Sequence, residues 1–344
     1  MNVQELERTA QAMVADGRGL LAMDESTPTA AKRLKAVGVE NSSENRRSYR
    51  ELLLGTSGLG EYISGAILYD ETIRQKANDG TPFAQLAERN GIIPGIKVDT
   101  GTKPLAGHSE EKITEGLDGL RERLQEYRGL GARFCKWRAV ITIGEHIPSR
   151  TCIETNAHAL ARYAALCQEA GMVPIVEPEV LIDGEHTLER SYEVTLETQR
   201  AVFEELYRQG IHFPGMVLKP SMVIAGKQCP KRIAPEDVAE WTICCLRNTV
   251  PAAVPGIAFL SGGQGDEEAT IHLNAMNMIA RSMRLPWRLT FSYARALQNQ
   301  VMQKWSGNPA NVDAARRILL HRARCNSAAS RGEYRPEMER EKAA

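Results

Sequence analysis

Eight short apolar runs, each ending at a polar or small residue, constrain the fold of this chain more than any other feature. They span residues 19–23, 63–69, 92–98, 134–141, 173–181, 216–223, 257–260 and 289–293, and end near Asp24, Asp70, Asp99, Arg138, Glu179, Lys219, Gly263 and Arg295. Successive ends lie 29 to 46 residues apart. Each interval holds one strand, one crossover helix and two loops, which parallel neighbouring strands require. Eight such units predict an α/β fold, a closed (β/α)8 TIM barrel. A barrel runs from about 200 to more than 400 residues as a single unit, so the 344 residues fit one domain.

Punctuation between the runs agrees. A helical pattern from Glu154 stops at Gly171, another from Leu188 stops at Gly210, and Pro235 stands where a first helical turn tolerates proline. An open dinucleotide-binding sheet shares the strand–helix alternation but calls for G-x-G-x-x-G after the first strand. Only Gly17-Arg18-Gly19 is present, and it precedes the strand. No low-complexity or Pro/Ser-rich linker divides the middle. The expected organisation is one domain over 1–344, with a helical N-terminal extension (about 1–18) and a polar C-terminal tail (about 332–344).

Lys and Arg total 43 and Asp and Glu total 43, so no overall field recruits nucleic acid or an anionic membrane. No stretch approaches the ~18 apolar residues of a membrane span, and the first residues fit neither a signal nor a transit peptide. A cytoplasmic protein is expected. The seven cysteines form no C-x-x-C pair and the seven histidines no close pair at ligand spacing, so neither a disulfide framework nor a metal is expected.

The polar residues gather at the C-terminal ends of the runs, where barrel enzymes build their sites. Strand side chains alternate, so Lys136 with Arg138, and Glu177 with Glu179, each project to one side. Charges inside a barrel are costly unless paired or functional. Lys219, in Leu218-Lys219-Pro220, is the candidate nucleophile. Lysine attacks a ketone only as the free amine, a form that burial or a cation such as Lys136 or Arg138 favours. The same lysine could simply end a strand and snorkel to solvent. Glu177 and Glu179 are candidate proton carriers for imine formation, although E-x-E also suits a cation ligand or a solvated rim. After run seven, Ser261-Gly262-Gly263 offers backbone N–H groups and a hydroxyl, and after run eight come Ser292 and Arg295. Either loop alone is an ordinary turn; together, after strands seven and eight, they mark the usual barrel phosphate site.

At these residues the chain resembles the class I fructose-bisphosphate aldolases. The resemblance rests on Leu21-Ala22-Met23-Asp24-Glu25-Ser26, Gly95-Ile96-Lys97-Val98-Asp99, Lys136-Trp137-Arg138, Val176-Glu177-Pro178-Glu179, Leu218-Lys219-Pro220, residues 259–264 and Thr290 to Tyr293 with Arg295, in family order. It implies reversible cleavage of fructose 1,6-bisphosphate, a small-molecule sugar phosphate, without metal or other cofactor. Lys219 would form the Schiff base, Glu177 would serve as acid/base, Lys136 and Arg138 would assist through charge, and Asp24 would hold or deprotonate the C4 hydroxyl. The resemblance assigns Ser261, Gly262 and Arg295 to one phosphate and Ser26, Thr29, Arg33 and Lys97 to the other end. It also implies a homotetramer.

Three departures stand out. Thr29 replaces a serine of animal members, Ala294 replaces a glycine near a phosphate, and the last tyrosine is Tyr334 rather than the terminal residue. The tail after it is dense in Arg and Glu, which predicts that residues 336–344 are dispensable for chemistry and that proton exchange falls to groups in the barrel or to Tyr334 itself. A related enzyme acting on sedoheptulose bisphosphate or fructose 1-phosphate, and a binding-only scaffold, are the alternatives. Filled catalytic positions weigh against the scaffold.

Overall fold

In the computed structural model, which describes residues 2–341, ten strands form: β1 Gly19–Ala22, β2 Ile63–Leu68, β3 Ile93–Lys97, β4 Gly101–Leu105, β5 His108–Glu115, β6 Phe134–Ile141, β7 Val173–Val180, β8 Val217–Leu218, β9 Gly256–Phe259 and β10 Arg288–Tyr293. Eight of them close a parallel barrel in the order β1-β10-β9-β8-β7-β6-β3-β2. Every apolar run of the sequence supplies one barrel strand. The ring shuts where β1 meets β10, Leu20 opposite Ser292 and Leu21 opposite Tyr293. Strand β8 is only two residues long because Pro220 has no N–H to continue the ladder.

The crossover helices follow the sequence punctuation: Arg150–Glu169, Leu188–Arg208 and Pro235–Thr249, the last with proline at its first turn. The antiparallel pair β4–β5 departs from the expected alternation, inserted between β3 and the helix Leu120–Gly129. Its sequence is mostly polar, so no apolar run announces it.

Two apolar layers hold the fold. Residues such as Cys135, Trp137 and Val176 face outward, into the layer between strands and helices. Their alternates Phe134, Val173, Ile175 and Val217 fill the barrel with Leu20, Ile67 and Ala258. Gly95 is required here, since a Cβ on it would lie 2.2 Å from the Phe134 ring. The N-terminal helix Val3–Met13 closes one end of the barrel, pressing Leu6, Ala10 and Met13 against that interior cluster. The inward files therefore change character along each strand, from apolar at the plugged end to charged at the open one: Phe134, Lys136, Arg138 on β6; Val173, Ile175, Glu177, Glu179 on β7; Val217 then Lys219 from β8.

The C-terminal segment is polar, as expected, but it is not loose. Tyr334 is buried, and residues Pro336–Arg340 form a short turn against the helix Val312–Ser330. Arg322, 1% exposed, is held by the Glu339 carboxylate, which also accepts from the Tyr334 hydroxyl at 3.0 Å. Of the expected tail, residues 342–344 lie outside the described residues, as does Met1. None of the helices described is long and apolar enough to cross a membrane.

Candidate active site

The open end of the barrel is a cavity of about 550 Å³, within the range of small-molecule sites. A larger cleft, about 820 Å³, opens beside Arg281, Arg288 and Trp287, but its acids Asp16 and Glu333 are exposed and it holds no lysine. The chemistry gathers at the smaller one. Seven basic and five acidic residues line it, a local positive surplus in a chain of zero net charge.

At its floor Glu177 lies between two lysines. Oε1 stands 3.1 Å from Lys219 Nζ, and Oε2 stands 3.2 Å from Lys136 Nζ. Lys136 reaches on to Asp24, 2.7 Å away on the other side. Lys136, Glu177 and Lys219 are each 3% exposed. Neighbouring strands explain the order: β6 carries Lys136, β7 carries Glu177, and Lys219 follows β8, its N–H bonded to Val176 O at 2.8 Å. Burial opposes charge on all of these groups, yet the opposite charges prevail. Lys136, Lys219 and Arg138 hold the Glu177 carboxyl below its ordinary range despite burial, and Lys136 and Lys219 do the same for Asp24. Burial also works against the Lys136 ammonium, but Asp24, Glu177 and Asp99 outweigh it and raise its pKa. The resting centre thus holds two carboxylates against a protonated Lys136. The cation expected beside Lys219 is present, separated from it by the shared carboxylate.

Higher in the mouth Arg138 donates to Glu179, and the Arg138 backbone N–H to Asp99 Oδ2 at 3.3 Å. Lys97 sits 2.9 Å from Asp99 Oδ1. Arg33 binds Glu25, and the hydroxyls of Ser26 and Thr29 meet at 3.2 Å at the start of the helix Thr27–Ala36. Asp99 and Glu25 are mouth residues to which the sequence reading gave no role; their signal was position, one residue beyond the run 92–98 for Asp99 and two beyond the run 19–23 for Glu25.

Ser261 and Gly262 line the opposite wall with Ser292 and Arg295. Gly262 and Gly263 have φ of 48° and 90°, a left-handed path that only glycine follows easily, and this bends the loop back over the mouth. The Ser292 hydroxyl is buried and has no hydrogen-bond partner among the described residues. Ala294 has φ −101°, so the methyl that replaces the family's glycine causes no left-handed strain. Among the described residues that line the mouth, two cations lack an acidic partner. One is Arg295, in this wall; the other is Lys32, on the helix with Thr29 and Arg33 and also absent from the sequence reading.

Tyr334 is not among the lining residues. Its phenol donates to Glu339, and burial with that carboxylate beside it pushes its pKa up. This corrects the expectation that Tyr334 could exchange protons at the mouth. The described residues also bring His321, Cys325 and Glu339 together, a grouping invisible in the histidine spacing, but Arg322 already holds that carboxylate.

The chain is similar to known proteins over nearly its whole length. Residues 5–344 match the family described as class-I fructose-bisphosphate aldolase. A probable fructose-bisphosphate aldolase class 1 of Xanthomonas campestris is 58% identical over 336 residues, 97% of this chain and 100% of the relative. A fructose-bisphosphate aldolase of Dictyostelium discoideum is 52% identical, over 96% of this chain and 92% of its own length. The fold is similar to that of Plasmodium falciparum fructose-bisphosphate aldolase, solved with TRAP and a small-molecule inhibitor, at TM-score 0.95 and 49% identity, covering 97% of this chain and 96% of the other.

Proposed function

The chain belongs to the class I fructose-bisphosphate aldolases, and on that premise we propose how its mouth residues divide the reaction. Lys219 attacks C2 of the ketose, and Glu177, held as a carboxylate 3.1 Å away, takes its ammonium proton first. Nitrogen bonds to carbon, the C2 oxygen becomes a carbinolamine hydroxyl, and Glu177 returns a proton so that it leaves as water. The resulting iminium is an electron sink for the pair released when C3–C4 breaks. Asp24, kept ionised by Lys136, accepts the C4 hydroxyl proton as the aldehyde forms. Lys136 remains protonated and steadies both carboxylates.

The two cations without acidic partners give the substrate its direction. Arg295, with Ser261, Gly262 and Ser292 of the lining and Gly263 beside them, takes the phosphate next to the ketone; Lys32 and Arg33, with Ser26, Thr29 and Lys97, take the phosphate at the far end. A bisphosphate answers both. No metal enters this scheme, since Asp24, Glu25, Asp99, Glu177 and Glu179 are each engaged by lysine or arginine. Cytoplasmic residence, expected from the sequence, and the homotetramer that the resemblance implies complete the reading; light scattering after gel filtration tests the assembly.

The Lys219–Glu177–Lys136 contact carries the proposal. Borohydride reduction with dihydroxyacetone phosphate should inactivate the enzyme and attach the sugar carbon to Lys219, as read by peptide mass mapping. Attachment to another lysine overturns the assignment.

A further inference from the structure

The loop after β8 carries a cation, Lys227, that lies outside the segments on which the resemblance rests. Residues 226–228 are bound to the loop after β7 through backbone: Gly226 N–H to His186 O at 2.8 Å, Lys227 N–H to Ile182 O at 2.8 Å and Gln228 N–H to Gly184 O at 3.0 Å. Gly184 N–H returns the contact to Gln228 Oε1 at 2.7 Å. Gly226 has no room for a side chain, since a Cβ there would lie 2.2 Å from Gly184 O. The backbone of Lys227 is therefore fixed.

Its side chain points at the glycine loop of the mouth. A Cβ on Gly263 would stand 2.6 Å from Lys227 Nζ and 3.5 Å from Arg295 Nη2, so the ammonium and the guanidinium converge on one point beside the Ser261-Gly262-Gly263 turn. The nearest acid, Asp183, is 3.7 Å from Lys227 and largely exposed, and Arg295 has no acidic partner among the described residues. Two like charges brought together without a buried acid between them cost energy unless an anion answers them. Gly263 fits the same reading, because any side chain there would expel the lysine.

We propose that Lys227 is a further phosphate-binding residue, an ammonium that joins Arg295 on the phosphate next to the ketone. This rests on the placement of that phosphate at the 261–263 turn. The turn supplies short directional N–H donors and Arg295 a flat fork; Lys227 adds a movable point charge from the rim, suited to a dianion. Its distance from Lys219 and Glu177 along the loop leaves the imine chemistry to them.

The test compares borohydride trapping with dihydroxyacetone phosphate and with unphosphorylated dihydroxyacetone, for the full-length enzyme and for Lys227→Met, Lys227→Arg and Arg295→Ala. Lys227→Met should raise the half-saturating concentration of dihydroxyacetone phosphate about 10- to 150-fold, the range of one charge-assisted hydrogen bond, and leave that of dihydroxyacetone unchanged. Lys227→Arg should restore most of the difference, and thermal melts should be equal, since the loop is held by backbone. Equal trapping by Lys227→Met and the parent, or an equal loss with both ketones, overturns the role of Lys227 while Arg295→Ala still discriminates. If Arg295→Ala also fails to discriminate, the phosphate placement falls and Lys227 falls with it.

Discussion

Lys219 Nζ and Glu177 Oε1 face each other at 3.1 Å, each residue 3% exposed, at the point where β7 and β8 run side by side. A proton can pass between them without solvent. Glu177→Gln keeps the shape and removes the carrier. Single-turnover trapping should slow by about 10²- to 10⁴-fold, the usual contribution of a positioned acid/base, while affinity for dihydroxyacetone phosphate stays within a few-fold. An unchanged trapping rate would move the role to another group.

The depressed carboxylates also set an acid limit. Asp24 and Glu177 have folded pKa values below their ordinary ones, so their stabilisation is complete above the unfolded carboxylate values and is lost as pH falls through the folded ones. Lys136 is raised, so its share is intact below the ordinary lysine value and is lost only as pH rises through its folded value. Denaturant melts from pH 3 to pH 9 should be level from neutral upward and fall in acid. Lys136→Met should flatten the acid fall, and an identical slope in that variant would contradict the coupling.

Arg295→Ala should raise the KM for fructose 1,6-bisphosphate by about 10-fold or more, the cost of a charged hydrogen-bond partner. Ser292→Ala should have a much smaller effect, because its hydroxyl is a neutral donor. Steady-state kinetics on the two variants decide this; equal, small effects would place the phosphate elsewhere.

Much of this site could be read directly from the chain. The alternation of Lys136 with Arg138 and of Glu177 with Glu179 survives folding because a strand's period of two is local, and the barrel follows from eight such runs at crossover spacing. The pairings were not legible. Whether Lys97 meets Asp99 or a ligand depends on a rotamer, and Lys32 lies on a helix where a lysine usually faces solvent. The hairpin β4–β5 was missed because Gly101–Leu105 and His108–Glu115 present few apolar residues and stay largely exposed; what anchors the second strand is Glu111, which accepts from the N–H and hydroxyl of the Ser149 cap of the helix Arg150–Glu169.

The tail yields an expectation opposite to its composition. Removing Glu339 leaves the Arg322 guanidinium buried without its carboxylate, so Glu339→Ala, or a chain ending at Arg335, should lose about 3 kcal/mol of stability. Cleavage at low temperature should remain near normal, since neither residue lines the mouth. Thermal unfolding against activity separates the two effects, and an unchanged melting temperature would show that the docked segment adds nothing.

A chelator such as EDTA should leave turnover unchanged, because the acids of the mouth are already occupied by basic partners. Activity lost on dialysis and restored by zinc would reverse that conclusion.

The seam between β1 and β10 has a meaning for how the enzyme is made. Leu20 pairs with Ser292 across the first and last strands, so Asp24 and Arg295 reach the same mouth only after nearly the whole chain has left the ribosome. Until then β1 has one open edge, and half-synthesised protein exposes strands that invite pairing with other chains. The last strand to be synthesised therefore turns a sticky intermediate into a closed, working enzyme, and cells should show the largest chaperone load on nascent chains that stop short of Tyr293.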